Sequence, residues 1–521
     1  MAAGDPVVVV GAGAGGLAAA IALSARGHEV TVLEALATPG GKMRHVRAGG
    51  RAVDAGPTVL TMRWIFERLF SEAGSDFSAR VRLTRASLLA RHAWSDGTRL
   101  DLSANIEDSA AAIAAFAGTP EADGYRRFCA DSRAIYATLK PSYIDAQRPG
   151  PVDLMRRIGL FNFGAQMALK PLVTMDAALS SYFADRRLIQ LFGRYATYCG
   201  ASPFLAPATL MLVAHVEQDG VWLVDGGMHA LARTLSDFAV DLGVTIRYAT
   251  TVDAIETGPG GVTGLRLSGG ERIKASAIVF NGDVSALATL VSGSGVEPVA
   301  PQDRSFSALT FTMTAETAGF PLAHHNVFFC DDSPREFDTL TRQRAMPDQP
   351  TTYLCAQDRD DVGQRAEGTG PERMLLTLNA PADGDRTPLS LMDVDRCLDQ
   401  TLKRLDTCGL SINRTTMACT ETTPTGFHRL FPATGGALYG RASHGFMAAF
   451  QRPGARTLVP GLYLAGGSAH PGAGVPMAAL SGRLAAQRLL ADRASMRPSR
   501  RAAISGGIST PSAMTDATRS P

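Results

Sequence analysis

Four glycine-rich blocks and one well-placed acid carry the chemistry legible in this chain of 521 residues. Residues 7–34 begin Val7-Val8-Val9-Val10-Gly11-Ala12-Gly13-Ala14-Gly15-Gly16, pass through an Ala- and Leu-rich run, and end His28-Glu29-Val30-Thr31-Val32-Leu33-Glu34. This reads as a strand, a glycine turn, a helix and a second strand closing on a carboxylate, the unit that holds a dinucleotide. Gly11 permits the tight turn, Gly13 lets backbone approach a pyrophosphate, and Gly16 lets the helix pack close to the sheet. The helix N-terminus offers unpaired N–H groups and a positive dipole end to phosphates, and Gly27 suits its C-terminus. Glu34 falls about 20 residues past the turn, where an acid takes the ribose hydroxyls.

The remaining blocks are Gly40–Arg44 with Gly56–Thr58, the pair Gly226-Gly227, and Gly461–Gly474. A nicotinamide dehydrogenase needs only the first block. A protein that wraps FAD needs more, because the ribityl chain and ring system must also be enclosed. In the last block, which opens Gly461-Leu462-Tyr463-Leu464-Ala465, a strand runs into Gly466-Gly467-Ser468-Ala469-His470-Pro471-Gly472-Ala473-Gly474-Val475-Pro476-Met477, and a helix continues through Ala478, Ala479 and Leu480. Pro476 fits the first turn of that helix. Its N-terminus can face the pyrimidine side of a flavin and stabilise negative charge there.

Composition narrows the alternatives. The length predicts two domains, interleaved in sequence. A net charge of +2 argues against nucleic acid as a partner. Only 19% of residues are charged, which suits a greasy substrate or a membrane surface. The sequence shows no signal peptide and no spanning helix, so the expected location is the cytoplasm, peripherally on the inner membrane. Seven scattered cysteines form no C-x-x-C pair, and no metal site is expected.

Residues 66–143 read as mostly helical, with a hairpin near Asp96-Gly97. In residues 151–175 apolar side chains such as Leu160, Phe161, Phe163, Met167 and Leu172 alternate with Arg156, Arg157 and Lys170, and no acid lies between Leu154 and Met175. That composition fits an interfacial helix with basic anchors, or a helix packed on the substrate domain. Gly159 and Gly164 weaken a single long helix. Residues 220–300 alternate helix and strand and can extend the first sheet. Strands at Ser307–Thr314 and Arg373–Leu378 and a helix at Asp393–Leu405 follow, and the chain closes in an Ala-rich helix ending near Leu490. The expected fold is α/β: a Rossmann-type FAD-binding domain from residues 1–85, 220–300 and 435–492, interleaved with an α+β substrate domain from 86–219 and 301–434. The first piece of the substrate domain is also the expected membrane-associating part, and 493–521 reads as a disordered tail.

Taken together, Val9-Val10-Gly11-Ala12-Gly13, Pro39-Gly40-Gly41-Lys42, Asp54-Ala55-Gly56-Pro57-Thr58 and Gly461–Pro476 resemble the bacterial phytoene-desaturase type of carotenoid desaturase, within the FAD-dependent amine oxidase superfamily. Three stretches are similar to its 1-hydroxycarotenoid 3,4-desaturase subgroup, found in photosynthetic bacteria: Gly56–Arg63, Gly226–Leu231 and Leu438–Gly445. The resemblance implies FAD, with Gly11, Gly13, Gly15 and Gly16 at the pyrophosphate and Glu34 on the adenosine ribose. It puts Gly41 and Lys42 beside the cofactor and Gly56, Pro57 and Thr58 along the flavin. Val252 would meet the adenine through its backbone, and Gly466, Gly467 and Val475, Pro476 and Met477 would enclose the ribityl and pyrimidine end. One departure is the lack of an acid at Gly467 or Ser468, where amine oxidases usually place one.

The implied reaction removes two hydrogens from adjacent carbons of an acyclic carotenoid, 1-hydroxy or 1-methoxy, to form the C3–C4 double bond. Neither C–H is acidic, so hydride transfer to flavin followed by proton loss from a delocalised cation is the expected route. Oxygen or a membrane quinone would reoxidise the flavin. The base is not legible: His470, His444 and Arg441 are candidates, each with an equally good structural use, as is His229. Asp54 is expected to shape its own turn. Trp222, Phe161, Phe163, Phe328 and Phe329 are candidates for a tunnel lining, with core packing as the alternative. Phytoene desaturation or another polyene isomerisation or saturation keeps the same fold, and a non-catalytic prenyl-binding protein is the reading from a different class.

Overall fold

In the computed structural model, residues 6–495 are described except 171, 366, 367 and 369. Most of the expected tail, 496–521, lies outside the described residues. Its first residues, Arg493–Ser495, instead continue the C-terminal helix, Val475–Ser495.

The valine run Val7–Val10 becomes the central strand of a five-stranded parallel sheet. Its order is Leu462–Leu464, Ala277–Phe280, Val7–Val10, Val30–Leu33, Thr245–Arg247. Such strands are apolar on both faces because helices cover both sides. Val7, Val8 and Val9 are accordingly buried, as is the whole of Ala277–Phe280. The helix Ala14–Ser24 makes the crossover between Val7–Val10 and Val30–Leu33. Its Ala and Gly residues let the C-terminal helix lie against it: a Cβ on Gly482 would overlap the Gly15 carbonyl oxygen and lie 3.0 Å from Ala19 N.

A seven-stranded mixed sheet forms the second layer, in the order Ala418–Thr422, Ser307–Ala315, Glu372–Ala380, Thr352–Ala356, His325–Phe328, Leu88–Ala93, Arg99–Ser103. Residues 66–143, read as mostly helical, therefore contribute two strands to this sheet, and Asp96-Gly97 sits in the turn between them. The alternation along these strands splits the sheet into two unlike faces. Leu309, Phe311, Met313, Leu354, Leu376 and Leu378 form one face and share a core with Val394, Leu402 and Leu405 of the helix Leu391–Thr407. The other face carries Thr310, Thr312, Tyr353, Thr377, Asn379 and His325, brought side by side by the registers Thr310↔Thr377, Tyr353↔Thr377 and His325↔Cys355. A third, three-stranded sheet spans Val252–Lys274.

Residues 151–175 do not form one helix. Pro151–Ile158 ends at Gly159, whose φ of 105° is open to glycine, and a second short helix follows at Phe163–Ala168. Among the described residues no helix is long and apolar enough to cross a membrane. The Gly482→Ala variant is expected to be destabilised by about 1–3 kcal/mol, because neither backbone can retreat. Thermal unfolding of the flavoprotein checks this, and an unchanged melting temperature would mean the two helices are not in this contact.

Candidate functional site

The site is built on one side chain that composition does not announce. Asn281 follows the strand Ala277–Phe280, and its Nδ2 donates to the Gly11 carbonyl at 3.2 Å. A Cβ on Gly13 would lie 2.9 Å from Asn281 Nδ2. One on Gly15 would lie 2.5 Å from Asn281 Oδ1 and 2.8 Å from both Gly466 N and Ala478 O. A Cβ on Gly16 would strike the Gly11 carbonyl. Thus Gly16 keeps the turn tight, while Gly15 admits Asn281 and the C-terminal helix. The helix Ala14–Ser24 has Gly13 at its N-cap and receives no side-chain cap.

The second block folds onto the first. Gly40 N–H donates to Ala12 O at 2.8 Å, and Gly41 lies against Gly13. Gly56 in turn packs on the Lys42 carbonyl so closely that no Cβ would fit. Gly466 N–H donates to Ser481 Oγ at 2.9 Å and sits beside Asn281. Gly467 has no crowding neighbour and no positive φ, so the chain itself does not require glycine there. Glu34 is buried, with Oε2 accepting from Ala12 N–H (2.6 Å) and Oε1 from Leu36 N–H (2.9 Å). Burial raises its pKa, partly offset by these amides. Thr250 N–H donates to Glu34 O, two residues before Val252 opens its strand.

Gly226-Gly227 has a different use. A Cβ on Gly227 would collide with Asp54 Oδ2, and that carboxylate accepts from Met228 N–H at 2.5 Å. Asp54 therefore caps the helix Met228–Asp241 rather than its own turn. His229 Nδ1 meets the Met43 carbonyl at 2.9 Å.

Below these blocks lies a cavity of about 730 Å³. Gly56–Thr58 and Pro471–Met477 line it, as do Leu154, Met155, Leu169 and Leu172. Of the expected aromatic linings only Phe329 reaches it: Phe328 is sealed in the core, Phe161 is 88% exposed, Trp222 packs under Arg63, and the side chain of Phe163 lies outside the described residues. The polar residues of the wall come from stretches without a motif. Tyr353 Oη bonds Thr58 Oγ1 at 2.6 Å and His325 Nδ1 at 2.7 Å, and His325 Nε2 is buried with no partner among the described residues. Arg452 is buried and ties two loops together, donating to Gly467 O (3.0 Å) and Arg441 O (2.8 Å).

The three histidine and arginine candidates are all turned to other partners, and none of them lines the cavity. His470 Nε2 meets the Ala146 carbonyl at 2.8 Å, and its ring packs edge-on against Tyr143. His444 Nε2 accepts from Ser202 N–H at 3.0 Å. Arg441 pairs with Asp303 at 3.0 Å.

The donor set suits a dinucleotide with a polyhydroxyl chain. The glycine turn is closed to side chains and its helix is uncapped. Lys42, whose Nζ donates to Leu438 O at 2.5 Å, and Arg452 supply positive charge nearby, and burial lowers the pKa of both. Asp283 Oδ2 is sealed from solvent with no partner among the described residues, an acceptor left over for a ligand hydroxyl. A parallel sheet with this glycine turn at the carboxyl ends of its strands defines a dinucleotide-binding α/β enzyme.

Comparison with known proteins sharpens that class. Residues 14–490 match the family model described as flavin containing amine oxidoreductase. The chain is 50% identical over 98% of both lengths to a hydroxyneurosporene desaturase of Rubrivivax gelatinosus. It is 45% identical to that of Cereibacter sphaeroides, over 94% of this chain and 98% of the other. Cyclohexylamine oxidase from Brevibacterium oxydans shares the fold, with a TM-score of 0.56 at 16% identity over 94% of this chain and 99% of the other. The chain belongs to the flavin-containing amine oxidoreductase family and is an FAD-dependent oxidoreductase.

Burial pushes His444 and His470 down to about 4 and His92 to about 3, from an ordinary 6.5. Each folded-state value lies below the unfolded one, so the unfolded chain binds more protons in between. Stability is therefore full above about pH 6.5 and is lost as pH falls toward 4. Melting temperature is expected to drop between about pH 7 and pH 5, and His444→Gln, whose amide oxygen can accept from Ser202 N–H, is expected to flatten the fall. An identical slope in the variant would remove His444 from the account.

Proposed function

We propose that this chain is a carotenoid desaturase that forms the C3–C4 double bond of 1-hydroxy or 1-methoxy acyclic carotenoids, drawing its substrate from a membrane surface. The observation that carries the reading is a mostly apolar cavity lined both by the glycine loops and by Leu172 of an exposed apolar patch, in a chain 50% identical to a protein named hydroxyneurosporene desaturase. In this reading residues 1–85, 220–300 and 435–492 hold FAD, and 86–219 and 301–434 hold the polyene. The Gly11–Gly16 turn holds the pyrophosphate through amides beyond Ala12, since those of Gly11 and Ala12 go to Leu33 O and Glu34 Oε2, while Glu34 holds the ribose and Val252 the adenine. Gly41, Lys42, Gly56–Thr58, Gly466, Gly467 and Val475–Met477 enclose the rest.

The chemistry FAD supplies when bound is acceptance of a hydride from carbon. The chain supplies a dry channel that keeps water from a carbon cation. It also supplies a place for the departing proton. Tyr353 Oη, facing the cavity, accepts that proton and passes its own to His325 Nδ1. Burial holds the His325 pKa well below the ordinary value, so the imidazole is unprotonated and ready at neutral pH. A weak base suffices, because a polyene cation is a strong acid.

The membrane contact is carried by apolar side chains rather than by the basic anchors. Lys170 is taken up by Asp131 and Tyr182, and Arg157 by the carbonyls of Ser142 and Gln147. Phe161, Met167 and Leu172 are 88%, 75% and 80% exposed, and Leu172 also borders the cavity. Such a patch inserts into the headgroup boundary.

Mixing the oxidised protein with a 1-hydroxycarotenoid in liposomes without oxygen is expected to bleach the flavin and red-shift the polyene together, and phytoene is expected to do neither. A flavin that stays oxidised would overturn the reading, and equal turnover of phytoene would move it to phytoene desaturation. Tyr353→Phe is expected to slow the reaction about a hundredfold with flavin content unchanged; a full rate would place the proton elsewhere. Replacing Phe161, Met167 and Leu172 together with Ser is expected to weaken liposome binding, and unchanged binding would assign another surface.

A further inference from the structure

The cavity wall holds charged groups that a hydrocarbon substrate would not explain, and Arg194 is the one with unfilled donors. Arg194 begins the short helix Arg194–Cys199 and reaches the cavity. A guanidinium carries five N–H donors and no acceptor. Here its side chain makes one hydrogen bond among the described residues, from Nη2 to Tyr198 Oη at 2.9 Å, and its Cζ lies 5.0 Å over the Tyr198 ring. Its Nε is sealed from solvent and has no partner among the described residues. It makes no ion pair there either. Glu217, which also borders the cavity, acts on it through space while its Oε2 accepts from Tyr195 Oη at 2.7 Å.

A cation in such surroundings is costly unless its donors are filled. Glu217 compensates the charge, but donors remain. What this place lacks is an acceptor oxygen. The group is also near the reacting end. Arg194 acts electrostatically on Tyr353, and Tyr353 Oη bonds Thr58, next to Gly56 and Pro57. In a 1-oxygenated acyclic carotenoid, one carbon separates C1 from C3. Whatever holds the oxygen must therefore stand beside the bond that is oxidised.

We infer that Arg194, oriented by Tyr198 and balanced by Glu217, is the specificity-determining group of the cavity and donates hydrogen bonds to the oxygen on C1 of the substrate. The inference rests on the desaturase reading above and names the feature that reading leaves open, how an oxygenated polyene is told from a plain one. An alcohol and its methyl ether both offer the oxygen lone pair, so the site accepts both and rejects the hydrocarbon. Hydrogen-bonding sites discriminate strongly against analogues lacking the partner, because the buried donor is then left unpaired.

The test compares a 1-hydroxy, a 1-methoxy and an unsubstituted acyclic carotenoid, by kcat/KM and by equilibrium retention of each polyene on the purified flavoprotein. The native protein is expected to favour both oxygenated polyenes over the hydrocarbon by about a hundredfold. Arg194→Met, similar in bulk but without donors, is expected to collapse that ratio toward one, in retention as well as in kcat/KM. Arg194→Lys is expected to restore part of it. Tyr198→Phe, which frees the guanidinium without removing it, is expected to lower the ratio less, and it remains informative if Arg194→Met fails to hold flavin. A native preference that survives in both Arg194→Met and Tyr198→Phe would overturn the assignment. If the native protein oxidises none of the three, the desaturase reading fails, and retention still decides whether Arg194 selects the oxygen.

Discussion

Backbone touching backbone, at positions where no side chain fits, is the constraint on which the rest of this molecule depends. A Cβ on Gly15, Gly16, Gly56 or Gly482 would meet backbone, and one on Gly13 would meet the Asn281 side chain. The segments come from the first, second and last parts of the sequence. Asn281, placed by the central sheet, fills the space these residues leave and bonds the Gly11 carbonyl. Close packing of this kind is unforgiving, because interiors transmit strain and backbone cannot move aside as a side chain can. It also leaves the amides of the glycine turn open toward one side, where an anion can take them.

The mixed sheet shows how one element serves two environments. Its aliphatic face joins the helix Leu391–Thr407 in an ordinary core. Its other face is hydroxyl-rich and contributes Tyr353, Thr377 and Asn379 to the cavity wall. Two hydroxyls there, Thr310 and Thr312, are buried with no partner among the described residues. In a finished core such groups would be costly.

The same economy governs the titratable groups. Histidines that composition offers as catalysts, His444 and His470, are held neutral by burial and spent on backbone partners. The side chains that face the cavity, Tyr353, Arg194 and Glu217, are instead kept from one another's full satisfaction, so that polarity is concentrated at a few points of an apolar channel.

What the residues determined by themselves was everything local in sequence: the strand–turn–helix–strand of Val7–Glu34, the strand and helix around Gly461–Met477, the strands Ser307–Thr314 and Arg373–Leu378, and with them the flavoprotein class. These are patterns of period and turn, written within a few dozen residues. Only tertiary structure decided the rest. Asp54 caps a helix that begins 174 residues later, and no spacing rule reaches that far. Gly226-Gly227, one of four similar blocks in sequence, serves that cap, since a glycine's reason lies in what approaches it. Residues 151–175 broke at Gly159, and Lys170 there was claimed by Asp131, which periodicity cannot place. Arg194, Glu217 and Tyr353 carry no motif, because the cavity is a meeting of side chains from distant strands and helices, and its chemistry exists only once they are folded together.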